Sequence, residues 1–334
     1  MPHTSVPANI STVGLKYETT KGTAISGEYR QMLVSNFTSN DVKDQAGYSV
    51  VAGYKGRYGK NQSGSHQEIG FTINAGSSAT DQASLLDIMY LLMDADTVTG
   101  SNPYTHTFSQ AGATVAKPSV TLFHNDGRSN FRDFPGFVID TASISIDKEN
   151  GAIPIEVSGL AFKEEDTTTK TLSLASNYNV YSPNTAKITI GGTTVCNFKT
   201  ATIEVGCETE AHRTLCDTAY PSDIDGKALN LSVTLEGDWN EAAGSLSDTI
   251  RTAWLNGTTQ TSALVISFGD SATNDYWTLT IPRWEIESNA NKDLEPDALL
   301  PQTMTIYPVW EGDIATNGWS IAVLNTISSN TASL

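Results

Sequence analysis

The chain has 334 residues, 39% of them hydrophobic and 17% charged, with a formal net charge of −17. That length suits two domains of about 150 residues, and the composition is that of a folded, turn-rich chain rather than a disordered one. The acidic excess argues against a sequence-reading nucleic-acid binder, which needs clustered Lys and Arg to neutralise phosphates.

The N-terminal stretch "MPHTSVPANISTVG" has neither a basic start nor an apolar run, so no secretory signal is expected and synthesis in the cytoplasm is. Short alternating runs between turn residues then read as strands: "EIGFTINAG", "KPSVTLFHNDG", "FVIDTASISIDKENG", "KALNLSVTLEGD", "SALVISFGD" and "YWTLTIPRW". Two segments read as helices. "TDQASLLDIMYLLMDAD" sets Leu85, Met89, Leu92 and Met93 on one face, with Asp81 near its positive end. It contains Asp87 and is too short to span a bilayer. "SLSDTIRTAWLNG" offers Ser245 and Asp248 as a capping box, Leu246, Ile250 and Trp254 on one face, and Gly257 as the stop.

These elements recur in one order at a slowly drifting offset, which is the signature of a duplication. Val34–Phe37 matches Val195–Phe198 at 161, Ile69–Ile73 matches Leu231–Leu235 at 162, and Leu85 matches Leu246 at 161. Phe108 matches Phe268 at 160, and Val120–Leu122 matches Trp277–Leu279 at 157. Phe137, Ile139 and Pro154 match Trp284, Ile286 and Pro301 at 147, the step being assigned to an insertion, "NDGRSNFRDFPG", in the first copy. The chain is therefore expected to be mainly β, with two tandem β-sandwich or barrel-forming domains over residues 1–166 and 167–325. Each carries one amphipathic helix, and residues 326–334 form a loose tail.

Catalytic signatures are lacking: there is no G-x-S-x-G, H-E-x-x-H, P-loop or dinucleotide fingerprint, and the histidines are scattered. No enzymatic role, cofactor or metal is expected. Cys207, His212 and Cys216 fit no common zinc spacing and read as a solvated loop. Asp223 and Asp225 before Gly226 lack the later acidic ligand of a calcium loop and read as a turn. The cysteines, with Cys196 the third, are odd in number and suit free thiols. Two long connections stand out. One, residues 38–67, carries Tyr48, Tyr54, Arg57 and Tyr58 among glycines; the other, residues 208–226, carries Arg213, Tyr220 and Asp223. Long loops with Tyr and Arg suit partner contact, so both are expected to be projecting arms.

The early "GTA" segment at Gly22–Ala24, the glycine-rich connection, the single helix and the closing "GFVIDTASISIDKENGAIPIEVSGLAF" together resemble the tail tube proteins of long-tailed bacteriophages. The resemblance is to the forms that carry two copies of the fold. It implies a structural virion protein whose units form rings, three chains giving a pseudo-sixfold ring, and whose rings stack into a tube that conducts DNA into the host. Implied partners are further copies of the chain, a tape measure protein, and tail terminator and tail tip proteins, with DNA passing through an acidic lumen unread. The two connections above are then inter-ring contact loops. A reading from another class is a β-sandwich binding module, either a capsid decoration protein or a carbohydrate-binding adhesin. Against it, most of the six tryptophans lie within strands and a helix, as core residues do.

Overall fold

The structure, a computed structural model, describes residues 11–48, 59–77, 82–94, 96–113, 116–127, 130–173, 179–195, 198–214, 220–238, 252, 254–270, 275–291, 301–309 and 312–326. The chain is mainly β. Its first part contains β1 (Thr12–Tyr17), β2 (Tyr29–Met32), β3 (Val34–Tyr48), β4 (Gly59–Asn74), β5 (Gly76–Ser77), helix α1 (Gln82–Met93), β6 (Thr97–Gly100), β7 (Tyr104–Ser109), β8 (Val120–Asn125), β9 (Phe131–Asp147), β10 (Pro154–Ala161), β11 (Glu165–Asp166) and β12 (Leu172–Ser173). The rest contains β13 (Asn179–Val180), β14 (Lys187–Ile190), β15 (Thr193–Val195), β16 (Phe198–Gly206), β17 (Thr209–His212), β18 (Asp223–Gly226), β19 (Asn230–Asp238), β20 (Leu264–Asp270), β21 (Asp275–Ile281), β22 (Trp284–Asn291), β23 (Pro301–Pro308) and β24 (Ser320–Asn325).

The centre is an eight-stranded antiparallel run made of two foursomes. β3–β4–β10–β9 and β16–β19–β23–β22 have the same internal order and are joined through β9 against β16. Their registers agree to the residue. Val34 faces Ile73 and Asn36 faces Thr72 across a bulge at Ser35; Phe198 faces Gly237 and Thr200 faces Glu236 across a bulge at Lys199, every position being 164 later. Toward the other end Thr141 faces Ser158 and Ile139 faces Gly159 across a bulge at Asp140. Ser288 faces Thr305 and Ile286 faces Ile306 across one at Glu287, all 147 later. A bulge leaves one residue without a ladder partner and bends its strand, so finding each at the same place is a strong correspondence.

Strand for strand, this corrects the sequence alignment in four places, the first being that Phe108, on β7, does not correspond to Phe268, on β20. The offset of the first two strand pairs is 164, not 161 or 162. β20 pairs with β14 as β8 pairs with β1, so β8 corresponds to β20 rather than to β21: Leu122 faces Phe134 as Leu264 faces Ile281, 147 after Phe134. And "NDGRSNFRDFPG" is no insertion but the β8–β9 turn and the start of β9. The additional piece of the first half is the hairpin β6–β7, which has no counterpart among the described residues of the second.

β9 is long because it serves two layers. Phe131–Phe137 pairs with β8 and β11, and the stretch from Val138 onward pairs with β10 and β16. The change of sheet falls at Pro135–Gly136, where Gly136 has φ +72 and a Cβ would lie 2.5 Å from the Phe162 ring. In the second half the same switch is a break, Pro282–Arg283, between β21 and β22. Glu18 secures the switch. Its Oε1 accepts from Gly136 N–H and Thr121 Oγ1, each at 2.7 Å, and its Oε2 accepts from Ser119 Oγ (2.6 Å) and Gly22 N–H (2.8 Å).

Two flanking sheets cover one side of the central run, in the orders β12–β2–β1–β8–β9–β11 and β15–β14–β20–β21–β24–β7–β6. Pairing of β11 with β9 and of β12 with β2 keeps the first half continuous as far as Ser173, past the expected boundary at 166. The second sheet is closed by β7, a strand of the first half, lying against β24.

Helix α1 departs from the amphipathic expectation. Leu85, Leu86, Ile88, Met89, Leu91, Leu92 and Met93 are all buried, more than one face of the helix, while Tyr90 is half-buried. Its one charge, Asp87, is 2% exposed and accepts from Arg30 Nη1 at 2.6 Å and Tyr17 Oη at 3.1 Å. Burial pushes the Asp87 carboxyl up to about 6, against the pull of Arg30 and Tyr17. The helix ends on Leu92 O, which accepts from Lys117 Nζ (2.7 Å) and Cys207 Sγ (3.3 Å). Of the second predicted helix Thr252, Trp254 and Leu255 are described and helical, and Asn256 and Gly257 follow as a turn, Gly257 with φ +57. Ser245, Leu246, Asp248 and Ile250 lie outside the described residues, as do Asp81 and the tail from residue 327.

At pH 8, Arg30→Ala should cost about 3–5 kcal/mol of unfolding free energy, because it strands a buried carboxylate. The folded Asp87 carboxyl holds its proton more tightly than the unfolded one, so stability present below about pH 4 is lost as pH rises through 6. Asp87→Asn lacks that loss. Denaturant unfolding at pH 4 and pH 7 should show the variant gaining on the wild type by about 2 kcal/mol between the two.

Candidate functional site

The central sheet has two unlike faces. Phe71, Val157, Ala142, Val205 and Leu231 form one cross-strand row of the covered face, and Ile155, Ile144, Ile203, Val233 and Ile306 stand in the next. These side chains pack against the flanking layer. The opposite face is left to solvent, and every strand presents its alternate residues there.

That second face consists of four rows. Thr38, Gly70, Ser158, Thr141, Gly206 and Asn230 make the first; Asn36, Thr72, Glu156, Ser143, Glu204 and Ser232 the second. Ser145, Thr202, Thr234 and Thr305 make the third, and Asp147, Thr200, Glu236 and Thr303 the fourth. No Lys or Arg stands in any of them; the nearest, Lys148 and Lys199, come beyond the Asp147–Thr200 pair. The hydroxyls bond within the sheet, as in Thr141 Oγ1 with Ser158 Oγ at 2.6 Å and Thr38 Oγ1 donating to Gly70 O at 3.2 Å. Asn36, Thr38, Thr72, Thr141, Ser143, Glu156, Ser158 and Glu204 line an open depression near its middle.

Chemically this is a low, hydroxylated surface with carboxylates at intervals and no positive charge to hold an anion. A face of one charge sign repels polyanions within a Debye length, about 8 Å at physiological salt. Among the described residues no three His, Cys, Asp or Glu side chains are placed to hold a metal ion, and no helix is long and apolar enough to cross a membrane. Cys207 is buried at the end of α1, His212 is exposed on β17, and Cys216 lies outside the described residues. Burial pushes the Cys207 thiol up, away from reactivity.

The predicted arms turn out differently from one another. The first is a long antiparallel hairpin, paired from Val34 with Ile73 out to Tyr48 with Gly59; Tyr48 is the last residue of β3, and Tyr54, Arg57 and Tyr58 lie outside the described residues. The second doubles back across the β9–β16 junction. Thr209 begins it, donating through N–H (2.6 Å) and Oγ1 (2.9 Å) to Asp140 Oδ1 at the bulge. Instead of a loop and a turn, β17 and β18 form a hairpin, with Ile224 buried against Val138 and Phe162.

Its charged residues are engaged within the chain. Lys21 Nζ lies 2.8 Å from Asp223 Oδ1 and 2.9 Å from Asp225 Oδ1, and donates to Ile224 O at 3.0 Å. Those hydrogen bonds raise the Lys21 ammonium above its ordinary range in spite of partial desolvation, the largest single influence, and hold the Asp223 carboxyl down. The Arg213 guanidinium sits 3.4 Å from His66 Nδ1 and so close over Gly64 that a Cβ there would fall 1.2 Å from it. Tyr220 offers its ring to Lys163 Nζ, 5.8 Å from the centroid. Thus Arg213, Tyr220 and Asp223 come together as a latch between the two halves. Sequence reasoning missed Lys21 and the carboxylates of the polar face. For the latter a signal existed: Ile155-Glu156-Val157 and Ile203-Glu204-Val205 each set one Glu between two core residues of a strand.

Compared with known proteins, the chain matches no family model and no curated protein.

Because the latch ion pairs are partly exposed, Lys21→Met should lower global stability by no more than about 1 kcal/mol. It should nevertheless speed amide exchange across residues 209–226 relative to the central sheet, and 1 M NaCl should do the same to the wild type. Hydrogen exchange read by mass spectrometry measures both.

Proposed function

We propose that the chain is a structural virion protein of the tail tube kind, assembling as three-chain, pseudo-sixfold rings that stack into the tube through which phage DNA reaches the host. One observation carries this reading: an eight-stranded antiparallel sheet presents a continuous face of Ser, Thr, Asn, Gly and carboxylates, without Lys or Arg in its four rows. A surface that must stay close to duplex DNA without retaining it needs these properties, since each phosphate contact by a cation adds affinity through counterion release.

The duplication is supported by the two matched bulges and by the constant offsets of 164 and 147 within matched strand pairs. Each unit is then a four-stranded piece of central sheet, a flanking sheet and one helix. Three chains supply roughly 24 central strands; at ~4.8 Å spacing and ~40° tilt these close into a barrel about 50 Å across at the backbone. Glu156, Glu204, Glu236 and Asp147 then face the lumen. A tape measure protein within the tube and terminator and tip proteins at its ends are the partners this role requires.

Negative-stain microscopy of the purified protein should show hollow filaments whose end-on averages carry threefold symmetry. Discrete particles at every concentration would overturn the tube. The lumen assignment has its own test: filaments of Glu156→Lys/Glu204→Lys should retain duplex DNA fragments at low salt and release them as salt rises, while wild-type filaments pass them. Equal retention by both would remove these two residues from the lumen.

A further inference from the structure

Among the described residues one lysine–carboxylate pair is set apart by burial. Lys170 Nζ lies 2.9 Å from Asp133 Oδ2, with side chains only 15% and 4% exposed, whereas Lys21, Lys43, Lys163 and Lys227 meet their carboxylates nearer to solvent. Asp133 stands on the flanking-sheet part of β9, between Phe123 of β8 and Glu165 of β11. Lys170 comes from the connection between β11 and β12. The backbone on either side of it is tied down: Thr167 N–H donates to Phe131 O at 3.0 Å, and Thr171 O accepts from Tyr29 N–H at 2.9 Å.

The surroundings are aromatic. Tyr29 and Phe123 are buried with ring centroids 6.1 Å apart, and the Tyr29 ring is itself fixed by its hydroxyl, which donates to Ile25 O at 2.6 Å. Lys170 Nζ lies 5.4 Å from the centroid of that ring, so cation–π attraction and the ion pair hold the same nitrogen. The pair is nevertheless incomplete. Asp133 Oδ1 is buried and has no hydrogen-bond partner among the described residues. A desolvated ion pair is costly in general, and more so when one of its oxygens is left unmatched away from water.

We propose that Lys170 and Asp133 join in an intramolecular isopeptide bond. Within the pair a proton passes from Nζ to Oδ2, the freed amine adds to Cγ, and the Cγ–Oδ2 bond breaks. Oδ2 leaves as water, taking a second proton from the nitrogen. One ammonium and one carboxylate give one amide and one water, and no oxidant or cofactor is consumed. Oδ1, the atom without a partner, becomes the amide oxygen, so both buried charges vanish in the same step. An amine and a carboxylate free in water do not condense. Here contact geometry raises their effective concentration, and loss of charge from a buried site favours the product. Glu165, directly opposite Asp133 across the β11–β9 ladder, is the second carboxylate placed to carry protons between the nitrogen and the leaving oxygen. The other deeply buried pair, Arg30 with Asp87, lacks this chemistry because a guanidinium stays protonated.

The bond closes residues 133–170 into a covalent loop that contains β10, a strand of the central sheet, and tension along the chain then runs past that strand. It does what a disulfide would do, in a chain whose described cysteine, Cys207, is free and buried.

The inference is independent of the tube. Intact-mass spectrometry of the denatured full-length chain should find one water less than the sequence requires. Tryptic mapping should place the loss in a branched peptide holding Asp133 and Lys170, with no cleavage after Lys170. Lys170→Arg, which keeps the ion pair without the nucleophile, and Asp133→Ala should each restore the full mass. Glu165→Gln should slow the linkage about a hundredfold, read as the linked fraction of freshly synthesised chain against time. A wild-type chain that keeps its full mass and is cut after Lys170 would overturn the bond. So would a water loss that persists in Lys170→Arg, the mark of a succinimide at Asp126-Gly127 or Asp225-Gly226. An unchanged rate in Glu165→Gln would remove Glu165 from the reaction.

Discussion

Every backbone amide and carbonyl in a strand needs a partner, and β9 finds its partners in two layers at once. Its first residues belong to a flanking sheet and the remainder to the central one, so the distance and angle between the layers are set by a single covalent strand rather than by side-chain packing alone. Much else hangs from this arrangement. The Pro135–Gly136 bend must be held, which the Glu18 carboxylate does with four donors from three different segments. The space opened between the layers must be filled, which α1 does with apolar residues on more than one face. The one charge taken into that space, Asp87, is tolerated because Arg30 and Tyr17 accompany it.

The central sheet also answers to two demands that pull in opposite directions. Stability requires one face to be bulky and apolar, and the residues there are the Ile, Val, Leu and Phe that suit a pleated, buried surface. The other face gives up nearly all bulk, carrying hydroxyls that satisfy one another instead of reaching outward. Alternation along a strand lets both demands be met at once, since neighbouring residues never share a face.

How much of this could be read in the sequence follows from what each signal depends on. Strands such as "EIGFTINAG" and "YWTLTIPRW" were legible because alternation is local. The like order of elements in the two stretches was legible too, and it underlies the proposed repeat. Its register was not: an offset of 161 in place of 164 is an odd displacement, and in a strand an odd displacement exchanges inside for outside. The matched bulges at Ser35 and Lys199 fix the register, but bulges are pairing features and leave no mark in one strand's own pattern. The burial of more than one face of α1 was hidden for a similar reason, because Leu86, Ile88 and Leu91 break the expected stripe only once their neighbours are known. For the polar face the repeated apolar-Glu-apolar triplets were visible, but choosing that face over the covered one needed the flanking sheets. Arg213, Tyr220 and Asp223 were singled out by residue type, and type does not say whether a contact is made within a chain or between chains.

The hairpin β6–β7 has a bearing on time rather than on form. Its strand β7 is made early, yet its partner β24 lies more than two hundred residues further along, Ser320 facing Ser109. Contacts so distant in sequence are slow to form, and this one can form only after Ser320–Asn325 have left the ribosome. Until then β7 carries an unmet row of amides and carbonyls, and β21 lacks its outer neighbour. The sheet joined by β7 is thus completed only by β24, so the packing of the second flanking sheet waits on residues more than two hundred positions further along.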